Sequence, residues 1–240
     1  MRLDRYLVEV GLGSRSEVKQ IVKKGLITVN GQVEKSAKTH IREGEDQIHY
    51  QDQELTYQTF YYWMLNKPAG VLSATQDSSA KTVLNLLEAE DWRKDLFPVG
   101  RLDKDTEGLL LLTNNGPLAH AMLSPKRHIT KVYRALVAGE MTVEDQERFA
   151  EGIHFKDFTS QPAELEILQV GQGHSEVLIR IQEGKFHQVK RMVAACGKEV
   201  TYLERLSMGA LQLDPNLERG AYRPLKQEEL ALLEEFQLPL

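Results

Sequence analysis

The chain has 240 residues, one cysteine, 41% hydrophobic and 27% charged residues, and a formal net charge of -5. This excludes a disulfide scaffold, a zinc site built from several thiolates and a disordered chain, and leaves room for one large domain or a small one joined to a medium one. Its longest aliphatic run, Leu109 to Leu112, is far short of the roughly 20 residues a bilayer demands, and the opening MRLDRYLVEV lacks the apolar stretch of a signal peptide, so a cytoplasmic protein is expected.

Charge placement matters more than its sum. Residues 1–40 hold eight Lys/Arg against four Asp/Glu, whereas residues 41–60 hold one against five, a break that marks a small N-terminal module ending near Thr56. The division expected is residues 1–58 and 59–240, with a connector at 56–60. In the module, Ser14 and Glu17 have capping-box spacing, which predicts a helix from there to Gly25. Arg15, Lys19 and Lys23 fall on one stripe of it, and Val18, Ile21 and Val22 on an adjoining apolar one. Asn30-Gly31 between β-formers predicts a hairpin over residues 26–33.

Three cations on an exposed face usually serve solvation. Here they stand with RLDRYL near the start, Gly11, Ser14-Arg15, Gly25 and Val29-Asn30-Gly31, and together these resemble the S4 RNA-binding module over about the first 55 residues. The resemblance implies phosphate contacts from Arg2, Arg5, Arg15, Lys19 and Lys23.

In the larger domain, residues 61–65, 109–113, 132–137 and 177–181 read as strands, and residues 82–88, 117–123 and 143–150 as helices. With no G-x-G-x-x-G and no phosphate loop, the pattern favours an α+β fold with a mainly antiparallel sheet over a nucleotide-binding doubly wound one. On the strand at 132–137, alternation sends Tyr133, Ala135 and Val137 to one face, with Lys131 or Arg134 elsewhere. Around a helix beginning at His187, the residues Val189, Met192, Val193 and Cys196 share a packed side, while His187, Lys190, Arg191 and Lys198 share the other. That makes Cys196 a small buried hydrophobe and not a nucleophile.

The densest charged stretch is Gly100-Arg101-Leu102-Asp103-Lys104-Asp105-Thr106-Glu107-Gly108. It copies the first half of a calcium-binding EF-hand loop but has Asn114 where the closing bidentate acid belongs. A two-metal phosphoryl-transfer site lacks a second acid cluster. Spacing alone leaves a salt-bridged surface turn as the simplest reading.

Gly-Arg-Leu-Asp at 100–103, running on through Glu107-Gly108-Leu109-Leu110 to Thr113-Asn114, resembles the signature of bacterial rRNA pseudouridine synthases of the RsuA type. Leu65-Asn66-Lys67-Pro68-Ala69-Gly70, Lys131-Val132-Tyr133 and Gly184-Lys185-Phe186-His187-Gln188-Val189-Lys190-Arg191-Met192 agree with it. So does the order, an S4 module followed by the catalytic domain. The resemblance implies isomerisation of one uridine in small-subunit (16S) rRNA, of the uridine-516 type, with no metal and no cofactor. It implies Asp103 as the essential group, ionised beside a cation from Lys190 or, second in rank, Arg191. Tyr133 then lies against the target base, and Lys67, Arg101, Lys126, Arg127, His187 and Arg191 contact RNA. Lys104 and Glu107 are small departures from the family pattern.

Three alternatives remain on sequence alone: an enzyme acting on large-subunit rRNA, a non-catalytic RNA-binding assembly factor, and an S4-bearing tRNA ligase or synthetase, for which no ATP site is visible. A monomer with ribosomal RNA as partner, naked or in an assembling subunit, and no membrane association completes the expectation.

Overall fold

The computed structural model describes residues 1–240 apart from Tyr57, Gln237, Pro239 and Leu240. The chain divides into two compact units, Met1–Thr59 and Phe60–Leu240.

In the first unit, helices α1 (Leu3–Glu9) and α2 (Arg15–Lys23) precede strands β1 (Ile27–Val29), β2 (Gln32–Glu34), β3 (Ile48–Tyr50) and β4 (Gln53–Leu55). The strands form an antiparallel sheet in the order β2-β1-β3-β4. Helix α2 starts where the capping box requires: Glu17 Oε2 accepts from the Ser14 amide at 2.7 Å, and Ser14 Oγ accepts from the Glu17 amide at 3.5 Å. The β1–β2 turn puts Asn30 at φ 52° and Gly31 at φ 78°, the left-handed pair a two-residue hairpin of this hand needs. Leu3, Tyr6, Leu7, Val18, Val22, Ile27, Ile41 and Ile48 form its core. The β3–β4 hairpin lies in the acidic stretch and has no turn dipeptide of that kind to signal it.

The second unit runs β5 (Tyr62–Lys67), β6 (Phe97–Pro98), β7 (Glu107–Thr113), α3 (Gly116–Leu123), β8 (Lys131–Ala138), α4 (Val143–Glu151), β9 (Glu164–Gly171), β10 (His174–Ile181), α5 (Gln188–Ala195), β11 (Glu199–Met208), β12 (Leu211–Gln212), β13 (Tyr222–Pro224) and α6 (Gln227–Leu233). The main sheet is ordered β13-β5-β7-β11-β8-β10-β9, with β6 on β7 and β12 on β11. Every pairing is antiparallel except β7 with β11. Leu110 and Leu112 of β7 enter one core, Leu109 and Leu111 the other. Burial on both faces explains four consecutive leucines where a one-sided strand would alternate. No helix among the described residues is long and apolar enough to cross a membrane.

Two sequence expectations need correction. Residues 82–88 form only a 3-10 turn, Val83–Leu86. The Asn85 side chain folds back onto the Thr82 amide (2.8 Å) and Leu87 is already extended, so a second helical turn never forms. On β8, Lys131 is buried on the same face as Tyr133, Ala135 and Val137, as a spacing of two residues dictates; the face it was expected to leave is the one it occupies.

Candidate active site

The loop between β6 and β7 carries Asp103, and the turn after β5 holds it from beneath. Ser73 Oγ accepts from the Leu102 amide at 3.1 Å and donates to the Leu102 carbonyl at 2.9 Å. The Gly70 amide donates to the Lys104 carbonyl at 2.8 Å. Lys67, 0% exposed, donates from Nζ to the carbonyls of Thr106 (2.8 Å), Pro68 (3.0 Å) and Lys104 (3.2 Å). Burial pulls this ammonium down to about 8, against an upward pull led by Glu107 and followed by Asp105 and Asp103. Lys67 was expected on the RNA; it is instead an internal clamp, its three protons matched by three carbonyl oxygens, of which that of Lys104 alone has a second donor, the Gly70 amide.

Where the loop enters β7, the parallel crossing with β11 is too tight for a side chain. Gly108 has φ 97°, and a Cβ there would lie 2.3 Å from the Arg205 carbonyl oxygen. Only glycine satisfies both conditions.

Asp103 opens into a cleft, and its neighbours come from α5 and from His187, the N-cap residue before it. Lys190 Nζ is 3.3 Å from Oδ2 and His187 Nε2 is 3.5 Å from Oδ1. Lys190 also reaches Asp105 Oδ1 at 2.6 Å, a hydrogen bond that holds the Asp105 carboxyl below its ordinary range. The buried side of α5 is Val189, Met192 and Val193, which fixes the rotation of the helix and so the direction of Lys190. Tyr133, largely buried, lines the same cleft from β8. The wider groove has a volume of about 740 Å³ and includes Arg101, Asp103, Lys131, Tyr133, Phe186 and Arg205. At its edge Phe186 is 75% exposed, its ring stacked on His187 at 3.8 Å with an interplanar angle of 18°.

The structure thus brings together Asp103, Tyr133, Lys190, His187 and Arg101. Lys126 and Arg127 are exposed in a 3-10 turn beginning at Pro125, which itself lines the groove. Arg191 is a correction. It makes a two-point ion pair with Asp157 and lies over Phe155 and Phe158 at 4.6 and 4.8 Å, so its planar charge is spent on packing. Cys196 packs against the main core, its thiol pushed up to about 11 by burial and by Asp145, so it stays protonated and inert. In the first unit, Arg2 pairs with Asp4 and Arg5 with Glu9; Arg15, Lys19 and Lys23 are exposed and enter no ion pair among the described residues.

Sequence reasoning missed three residues of the groove, Phe186, Lys131 and Arg205, and the second partner of Lys190, Asp105. Asp105 and Phe186 lie inside motifs already singled out, and correct alternation from Tyr133 would have placed Lys131. Arg205 gave no local signal. No group of three or more metal-ligating side chains occurs among the described residues. What the cleft offers is one carboxylate fixed by a cation, beside an aromatic ring.

A family model described as RNA pseudouridylate synthase matches residues 61–195, which contain every one of these groups except Arg205. The chain belongs to the RNA pseudouridylate synthase family. It is therefore an isomerase, and its first unit matches the S4 domain over residues 1–48. A Bacillus subtilis relative named as an uncharacterized RNA pseudouridine synthase, YtzG, is 46% identical over 99% of this chain and 100% of its own length. Ribosomal small subunit pseudouridine synthase A is 40% identical in Vibrio vulnificus, over 96% of this chain and 98% of that one, and 37% identical in Escherichia coli, over 96% and 99%. A crystal structure titled pseudouridylate synthase superposes with a TM-score of 0.68 at 36% identity, covering 97% of this chain and 99% of that one.

Proposed function

We propose that this pseudouridine synthase isomerises one uridine of small-subunit rRNA, of the uridine-516 type, in the cytoplasm, with Asp103 as its catalytic residue. The observation that carries the reading is the Asp103 carboxylate, held between Lys190 Nζ and His187 Nε2 in a cleft lined by Tyr133. The choice of small-subunit RNA is supported by the names of the Vibrio and Escherichia relatives.

The chemistry needs little more. The N1–C1′ bond breaks, the uracil turns, and a C5–C1′ bond forms; C5 gives up a proton and N1 gains one, so no redox partner or phosphate donor enters. The Asp103 carboxylate serves either as nucleophile at C1′ or as base toward the 2′ proton. Lys190 balances its charge and aims it, and Tyr133 presents a ring against which the base stacks. Because C1′ and C5 are hidden in a stacked helix, the uridine must be everted, at a cost of a few kcal/mol. Phe186 at the groove edge offers an exposed aromatic surface for stacking, and Arg101, Lys126 and Arg127 lie where phosphates can be met. The S4 unit adds affinity through Arg15, Lys19 and Lys23, with Arg2 and Arg5 beside them.

Tritium release from rRNA labelled at uracil C5 tests the proposal. Wild-type protein should release tritium from small-subunit RNA, and Asp103→Asn should lower the rate at least about 10³-fold while still binding. Release from large-subunit RNA alone would move the substrate; no release from either would leave an RNA-binding factor. Mapping pseudouridines in cellular rRNA with and without the gene identifies the nucleotide.

A further inference from the structure

Two cations in the groove have no task in the chemistry just described. Lys131 is 8% exposed and Arg205 2% exposed, yet both line the same groove as Asp103 and Tyr133. Lys131 stands two residues before Tyr133 on one face of β8, and Arg205 lies directly across from Tyr133 in the β8–β11 register. Arg205 Nε donates to the Leu109 carbonyl at 2.9 Å, but its Nη2 is buried without a hydrogen-bond partner. Lys131 Nζ has one acceptor, the Ile129 carbonyl at 3.2 Å. Neither enters an ion pair among the described residues. The nearby carboxylate, Glu183, is already engaged by the Gln161 amide at 2.8 Å and by Gln188 Nε2 at 2.6 Å.

A buried guanidinium and a buried ammonium lining one groove, short of acceptors, are costly in an empty site. Burial, followed by the like charge of Arg205, brings the Lys131 ammonium down to about 8. An anion entering the groove relieves all three deficits at once, supplying acceptors to Nη2 and Nζ and separating the like charges. Uracil is neutral, whereas an RNA strand offers a phosphodiester on each side of every nucleoside. Lys190 is not available for it, being shared between Asp103 and Asp105.

We infer that Lys131 and Arg205 form a buried anion subsite that takes a phosphodiester flanking the nucleotide being isomerised. This rests on the proposed function of the Asp103 cleft. The subsite would fix the register of the strand, so that the flanking phosphate, and not the base alone, places C1′ over the carboxylate.

The test uses the full chain and a small-subunit rRNA fragment tritiated at uracil C5, with binding and release measured separately. Lys131→Gln is expected to weaken binding roughly tenfold and to lower the slope of log affinity against log salt by about 0.7 to 0.9, the share of one phosphate. Lys131→Arg should restore both. A fragment with a neutral methylphosphonate at one of the two flanking linkages should bind wild-type protein more weakly by a similar factor, and Lys131→Gln no more weakly than its ordinary RNA. A folded Lys131→Gln protein with unchanged affinity and slope overturns the inference. If Lys131→Gln does not fold, the two neutral-linkage RNAs decide with wild-type protein alone: loss at one supports the subsite, tolerance of both removes it. Absence of tritium release with the salt effect intact would refute the isomerase reading on this RNA and keep the subsite.

Discussion

Helix α2 and the Asp103 cleft both present positive charge, and they do so in opposite ways. On α2, Arg15, Lys19 and Lys23 extend into solvent from a capped helix and enter no ion pair among the described residues. Around the cleft, Lys67, Lys131 and Arg205 are buried, and Lys190 is pinned between two carboxylates. Exposed charges act additively, at a range set by salt. Buried ones act at close range and in one direction. Affinity can be distributed over many residues of the first kind; geometry needs the second.

The largest effect expected in breaking this contrast is at Lys67. Lys67→Met keeps the volume but leaves the Pro68 and Thr106 carbonyls without a donor and that of Lys104 with one, a loss on the order of 3 kcal/mol, visible as a lower urea midpoint, with tritium release falling as the Asp103 loop relaxes. A wild-type midpoint would show that the clamp is dispensable. Next comes Lys190→Gln, which removes the charge beside Asp103 without opening a cavity; release should fall roughly 10²-fold while RNA affinity changes little. A large affinity loss with the rate preserved would move Lys190 to the binding side of the comparison. Smallest per residue are the changes on α2. Converting Arg15, Lys19 and Lys23 to Gln should leave the rate at saturating RNA intact, weaken binding in small additive steps, and lower the salt slope by about 0.7 to 0.9 for each phosphate no longer neutralised. One dominant residue among the three would mean a fixed docking point in place of a diffuse field.

The same contrast explains what could be read before the structure. Ser14 with Glu17, and Asn30 with Gly31, act through neighbours within three residues, so pattern reveals them. The charged stripe of α2 follows from periodicity. Lys67 and Arg191 were misplaced because residue type alone says surface, whereas their partners lie elsewhere in the chain: Thr106 thirty-nine positions from Lys67, and Asp157 thirty-four from Arg191. Asp103 was legible only through its motif, since spacing by itself left a solvated turn. The strands β9 and β11 escaped notice for different reasons: β9 is an edge strand with most of its residues in contact with solvent, and β11 hides Glu204 and Arg205 in its middle, which breaks the apolar pattern a buried strand usually shows.

Lys190 stands closer to Asp105 than to Asp103, 2.6 against 3.3 Å, and that asymmetry matters once the proposed reaction is under way. When Asp103 becomes an ester or takes up a proton, it gives up its negative charge, and an ammonium with a single counter-ion would then be stranded. Asp105 is that counter-ion held in reserve. The trio passes from one net negative charge to neutrality without any side chain having to travel, so the Lys190 ammonium keeps a counter-ion while the glycosidic bond is exchanged.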